Sequence, residues 1–238
     1  MPLIEVKNLK KTYYTDDLEI PVLRGLSFSI ETGEFVAVMG PSGSGKSTLL
    51  HILGFLDRHT SGDYFFDGKT FDDYGMSEIA RVRNEKMGFV FQAFNLLGRS
   101  SVLENVKLPL LYSRIPEAEW NGIAEGAIQA VGLMHRKDQE ASRLSGGEKQ
   151  RAAIARALVT NPQIIFADEP TGNLDSKSGE LVMETIRKLN EEENKTVVLI
   201  THETYTARHA ERILHILDGK IESDEKVEHR HVPNKFFK

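Results

Sequence analysis

The sequence predicts an α/β fold: a mainly parallel sheet, preceded by an N-terminal antiparallel β subdomain and interrupted by a helical insertion. Three observations carry this. Short, continuous apolar runs recur at residues 35–39, 164–167 and 196–200, the pattern of strands buried on both faces. Stretches of helical period separate the later runs, which argues for parallel strands joined by helices. Residues 93–160 carry helical patterning alone, so they read as an insertion.

Each element follows from local pattern. Residues 3–9 and 22–30 hold apolar side chains at short spacing, and Thr32-Gly33 reads as a turn. Residues 35–39 form a buried strand that ends in glycine, and 48–56 read as a helix. Residues 63–71 are rich in aromatics with Asp67-Gly68 in the middle, a hairpin signal. Ser101-x-x-Glu104 fits a capping box. Pro116 suits a first helical position. After it Trp120, Ile123, Ala124, Ala127, Ile128 and Val131 fall on one helical stripe. Val182, Ile186 and Leu189 mark another helical face. Residues 213–217, Asp218-Gly219 and Lys220-Ile221 read as a hairpin. One domain is expected over residues 1–221. Residues 222–238 are polar and are expected to form a loosely ordered tail.

Composition narrows the function classes. The chain has 238 residues, 40% hydrophobic and 27% charged, which is ordinary for a globular protein. A net charge of −5 gives no basic field for nucleic acid. There is no cysteine, so disulfides and thiolate metal sites are excluded. No apolar run reaches the roughly 18 residues needed to span a bilayer. Met1–7 shows no signal-peptide core. The expectation is a cytoplasmic protein whose membrane role, if any, comes through a partner.

Gly40-Pro41-Ser42-Gly43-Ser44-Gly45-Lys46-Ser47 matches the phosphate-loop pattern G-x-x-x-x-G-K-S/T, with Thr48 opening the helix beyond it. The composition follows from the chemistry. Glycines let backbone N–H groups turn inward around a polyphosphate, and the next helix adds its positive end. Lys46 would reach the β- and γ-phosphates, and Ser47 would ligate Mg²⁺. The expected ligand is ATP with Mg²⁺. A guanine reader would carry Asn-Lys-x-Asp, and Asn194-Lys195-Thr196-Val197 lacks the carboxylate.

Residues 164–167 lead into Asp168-Glu169-Pro170. Buried strands rarely hold acids internally, so both should sit at the carboxyl end, where α/β sheets bind ligands. Asp168 could organise the Mg²⁺ shell through water, and Glu169 could polarise the attacking water as general base. Leu144-Ser145-Gly146-Gly147-Glu148 opens an alanine-rich helix. Ser145-x-x-Glu148 is a capping box, yet a capping box does not ask for two glycines. Ser-Gly-Gly at a helix N-terminus is a second anion site.

With these motifs in this order, the chain over residues 3–221 resembles the nucleotide-binding subunit of ABC transporters. The resemblance implies a head-to-tail homodimer sandwiching two nucleotides. Ser145, Gly146, Gly147 and Glu148 would then meet ATP held by the other copy. Tyr13 sits where an aromatic stacks on adenine, with Tyr14 as the neighbouring alternative. Gln92 resembles the Q-loop glutamine that touches Mg²⁺ and the attacking water. Asn173-Leu174-Asp175 resembles the D-loop, so Asp175 would contribute across the interface. His202 resembles the switch histidine at the γ-phosphate. Asp168 to Asp175, with Phe91-Gln92-Ala93-Phe94-Asn95 and Leu103-Glu104-Asn105-Val106, is similar to the MacB, LolD and FtsE group. That likeness implies a separate transmembrane permease subunit, with the chain peripheral on the cytoplasmic face of the membrane. It also implies export or mechanotransmission of a hydrophobic compound, peptide or lipoprotein, or else regulation of a membrane partner in envelope or division control. Glu148 stands where glutamine is commonest. Gly98 stands where related cassettes often have proline, so the loop after Gln92 is expected to be looser.

Overall fold

The computed structural model describes residues 1–15 and 18–230. Two sheets organise it. The first is antiparallel, in the order β2 (Leu18–Ile30), β1 (Ile4–Thr15), β4 (Ser61–Phe66), β5 (Lys69–Thr70). The second has six strands, in the order β10 (Lys220–Lys226), β9 (Arg212–Leu217), β3 (Phe35–Met39), β8 (Thr196–Thr201), β7 (Ile164–Asp168), β6 (Met87–Phe91). All neighbours in it pair in parallel except β9 and β10. The predicted fold class is borne out.

Period-two alternation lets one sheet serve two cores. Phe35, Ala37 and Met39 face one apolar cluster, with α3 (Val102–Lys107), α4 (Trp120–Ala130), α5 (Gly146–Leu158) and α6 (Ser176–Glu193). Val36 and Val38 face the other, with the antiparallel sheet and α1 (Lys46–Leu53). Ile164 and Phe166 join that second cluster, while Ile165 and Ala167 join the first. This is why the strands read as unbroken apolar runs.

The hairpin signals hold. Asp67-Gly68 and Asp218-Gly219 take positive φ at both residues, as a two-residue turn matched to strand twist requires. Ser101 caps α3: its Oγ accepts from Glu104 N (3.1 Å), and Glu104 Oε2 accepts from Ser101 N (2.7 Å). In α4, Ala124 and Ile128 are buried, and Trp120, Ile123 and Ala127 pack against the same core.

Three expectations are corrected, and one helix was not foreseen. Strand β1 runs to Thr15, beyond residue 9, because Lys10 to Thr15 pair with β2 although they are polar. Pro116 precedes a 3-10 turn, Glu117–Glu119, and α4 opens at Trp120. Helix α2 (Met76–Lys86) has no counterpart in the sequence reading; it is strongly polar, and Val82 is the buried apolar side chain among its described residues. The segment from residue 222 is not loose at its start. Strand β10 continues to Lys226, and Asp224 accepts two hydrogen bonds from Arg212 at 2.6 Å each. Arg230 then donates to the His209 carbonyl (3.0 Å) and to Asn190 Oδ1 (3.2 Å). Residues 231–238 lie outside the described residues.

Candidate nucleotide site

Strand register assembles the site. Phe91 pairs with Asp168, Asp168 with Ile200, and Met39 with Thr201. The residues that follow these strands therefore stand in a row at one edge: Gln92, Glu169, His202 and Gly40. This is the carboxyl edge of the parallel strands, as expected for a ligand site.

Gly40 allows the strand to turn there. A Cβ on it would meet the Ile216 carbonyl oxygen at 2.1 Å, so no other residue fits. Beyond it the loop surrounds a cavity of about 700 Å³ lined by Pro41, Ser42, Gly43, Gly45, Lys46, Ser47, Thr48, Val22, Glu169 and His202. Helix α1 starts with no side-chain cap, which leaves its first N–H groups facing the loop. Lys46 is buried, and its Nζ donates to the Pro41 carbonyl (2.8 Å). Ser44 Oγ is buried with no hydrogen-bond partner. Such a group costs about 1–3 kcal/mol unless something satisfies it. A phosphate cradle explains all three features, so the residues fit a polyphosphate.

The two carboxylates occupy different surroundings. Burial first, then the neighbouring charge of Glu169, raises Asp168 above the usual carboxylate range. A hydrogen bond from Ser47 and the charges of His51 and Lys46 oppose that shift. Ser47 and Asp168 thus meet where both were expected to serve one Mg²⁺. Glu169 adopts a left-handed backbone, φ 46°, and its N–H donates to the Ile200 carbonyl (2.9 Å). His202 Nδ1 donates to Glu169 Oε1 (2.9 Å). The histidine therefore orients the proposed base.

The loop after Gln92 is gripped through its main chain. Gln150 Nε2 donates to Phe91 O (3.3 Å), Asn173 Nδ2 to Gln92 O (2.9 Å), and Arg156 to the carbonyls of Phe94 (2.9 Å) and Asn95. Phe94 and Asn95 both have positive φ. Gly98 O accepts from Ser142 N (2.9 Å), and Leu97 exchanges hydrogen bonds with Asn105. The loop expected to be loose at Gly98 is tied on both sides of it. Sequence reasoning missed Gln150 and Arg156; the signal was an amide and a charged side chain within an otherwise alanine-rich helix.

The signature stands apart from the cavity, which none of Ser145 to Glu148 lines. Ser145 Oγ accepts from Glu148 N (3.3 Å), and Glu148 Oε2 accepts from Ser145 N (2.9 Å). Arg136 Nε donates to Glu148 Oε1 (3.0 Å). The capping box is real, and it leaves the N–H groups of Gly146 and Gly147 uncommitted to it. Asp175 caps α6, accepting from Ser178 N (3.0 Å) and Ser178 Oγ (2.7 Å). A Cβ at Gly146 would meet Leu174 at 3.2 Å, and one at Gly147 would meet Ser178 of α6 at 2.9 Å, so the signature packs directly on the D-loop and the start of α6. Tyr13 does not line the cavity; its hydroxyl donates to Asp57 Oδ2 (2.8 Å) and lies by Thr48.

Comparison with known proteins decides the family. The ABC transporter family model matches residues 23–172. The chain belongs to the ABC transporter family. This ABC cassette is 50% identical over 226 residues to the macrolide export ATP-binding/permease protein MacB of Syntrophobacter fumaroxidans, covering 94% of the chain and 32% of that protein. It is 44% identical to the uncharacterized ABC transporter ATP-binding protein MJ0796 of Methanocaldococcus jannaschii, over 94% of the chain and 97% of that protein. It superposes on the dimeric, post-hydrolysis structure of MJ0796 bound to ADP and Pi with a TM-score of 0.86, at 43% identity, over 95% of this chain and 99% of that one. The cassette spans about a third of the length of the MacB relatives it matches. It is an ABC ATPase domain, and among its described residues no helix is long and apolar enough to cross a membrane.

Proposed function

We propose that the cassette is the ATP-hydrolysing subunit of a membrane transporter, working as a head-to-tail homodimer on a separate transmembrane subunit. The observation that carries this is the separation of two anion devices. The phosphate cradle at residues 40–47 has a general-base candidate beside it. Ser145-Gly146-Gly147 lies off that cavity on the helical insertion. A site built from one chain is incomplete, and a second copy supplies the missing half.

In this reading Lys46 exchanges the Pro41 carbonyl for the β- and γ-phosphates of ATP. The loop N–H groups and Ser44 Oγ satisfy phosphate oxygens. Mg²⁺, held by Ser47 and Gln92 and by Asp168 through water, would offset the phosphate charge. Glu169, oriented by His202, accepts a proton from the attacking water. Ser145 and Gly147 of a second copy close over the γ-phosphate with Glu148 and Asp175 alongside. Tighter binding of ATP than of ADP to the closed dimer supplies the stroke.

A groove of about 750 Å³ supports the membrane partner. Its lining includes Leu56, Met87, Phe89, Leu108, Pro109 and Tyr112, and Arg156 borders it. It thus adjoins the loop that carries Gln92. A cytoplasmic segment of a transmembrane subunit seated there would sense the nucleotide through Arg156. The MacB relatives are named for macrolide export, which favours export of a hydrophobic compound, peptide or lipoprotein, with the cassette at the cytoplasmic face of the membrane.

Two variants test the reading. Lys46→Ala should abolish Mg-ATP binding; undiminished affinity by calorimetry contradicts the cradle. Glu169→Gln should keep Mg-ATP affinity and lower kcat about 10²–10⁴-fold. Hydrolysis at the wild-type rate removes Glu169 from the base role.

A further inference from the structure

Lys11 and Tyr13 are two residues apart on β1, so they share a face of the strand. Lys11 is buried, and a buried ammonium needs partners. It has two: Nζ donates to Asp57 Oδ1 (2.8 Å) and to the Arg58 carbonyl (2.6 Å). The same Nζ lies 4.6 Å from the centroid of the Tyr13 ring. Asp57 divides its oxygens, one taking the lysine and the other the Tyr13 hydroxyl at 2.8 Å. Burial works to raise the Asp57 carboxyl, yet the hydrogen bonds from Lys11 and Tyr13 outweigh it and hold the group below the usual range.

Asp57 is also fixed to α1. It lies in the turn just beyond the end of that helix at Leu53, and its N–H donates to the His51 carbonyl (3.1 Å). The N-terminus of α1 is the phosphate cradle. One carboxylate therefore ties the Tyr13 ring to the helix that holds the phosphates. The ammonium covers one face of the ring. Tyr13 is 37% exposed, which leaves room for an aromatic ligand to lie against it.

We propose that Asp57 and Lys11 are positioning residues that hold the Tyr13 ring as the platform for the nucleotide's base, so that they set affinity for a nucleoside triphosphate without touching phosphate binding. The proposal rests on reading Tyr13 as the base-stacking residue. Stacking acts on the π-face that every base presents, so the clamp governs affinity for nucleotides in general.

The test measures KM and kcat for Mg-ATP, and inhibition by Mg-tripolyphosphate, which has phosphates and no base. Tyr13→Ala should raise KM about tenfold. Asp57→Ala, Lys11→Met and Tyr13→Phe should each raise it about threefold to tenfold, with kcat and the tripolyphosphate inhibition constant unchanged. The double variant Asp57→Ala/Tyr13→Phe should be no worse than Asp57→Ala alone, because both changes remove the same Tyr13–Asp57 hydrogen bond. Three results overturn the clamp while leaving the stacking reading in place, provided Tyr13→Ala still raises KM. They are an unchanged KM in Asp57→Ala, a full additive loss in the double variant, or a tripolyphosphate constant that rises in step with KM. An unchanged KM in Tyr13→Ala removes the stacking reading, and the clamp with it.

Discussion

Arg156 shows how a single side chain can link the parts of this cassette. Its guanidinium is partly buried on α5 and holds two carbonyls of the loop that follows Gln92. Arg156→Ala leaves those carbonyls without their donor, at about 1.5–3 kcal/mol for a charge-assisted contact. The variant should unfold at lower urea and show a reduced kcat with unchanged affinity for Mg-ATP. Arg156→Lys should recover only part of the loss, because an ammonium cannot serve both carbonyls with a rigid fork. A fall in affinity equal to the fall in kcat contradicts the assignment. Asp168 supplies a pH test. Its folded value is raised by burial and then by Glu169, so ionising it costs stability once the pH is above that raised value. The cost disappears as the pH falls through the raised value toward the unfolded value of about 3.9. Asp168→Asn should therefore raise the nucleotide-free melting temperature at neutral pH, and this gain should vanish near pH 4. A gain independent of pH contradicts the raised carboxyl. The motif residues were legible because each has a fixed spacing; Asp57, Gln150 and Arg156 were not, because their partners lie 44 to 62 residues away in sequence.

Helices α3 and α5 begin with the same capping box, and comparing them separates structure from function at the scale of the element. Ser101→Ala should cost about 1 kcal/mol in urea unfolding and leave ATP hydrolysis unchanged. Ser145→Ala should cost a similar amount, and also abolish ATP-driven association, because α5 carries Gly146-Gly147 where α3 carries Val102-Leu103. Equal effects of the two changes on hydrolysis contradict a special role for α5. The sequence makes both caps visible. It also shows the buried strands, since faces that alternate between two cores leave no polar position. It hides the outer reach of β1 and the end of β10. There Lys10 to Thr15 and Ser223 to Lys226 are held by ladder pairing and by the Arg212–Asp224 pair, neither of which leaves a hydrophobic period. Helix α2 is hidden for the same reason, since polar residues dominate it.

At the scale of the molecule, on the proposed reading one domain carries two half-sites on different layers. The parallel sheet aligns Gly40, Gln92, Glu169 and His202 at one edge, and the helical insertion presents Ser145-Gly146-Gly147 elsewhere. Sequence order alone identified both halves, but only the fold shows that one chain does not bring them to one cavity. A monomer should bind Mg-ATP and hydrolyse it slowly, so specific activity should rise with protein concentration. The most direct measurement is the solution mass of Glu169→Gln, with and without Mg-ATP, beside the double variant Ser145→Arg/Glu169→Gln. The account predicts that Mg-ATP doubles the mass of the single variant, and that the double variant binds ATP yet stays a monomer. A Glu169→Gln chain that binds Mg-ATP and remains monomeric, or a double variant that still dimerises, contradicts a site completed by a second copy.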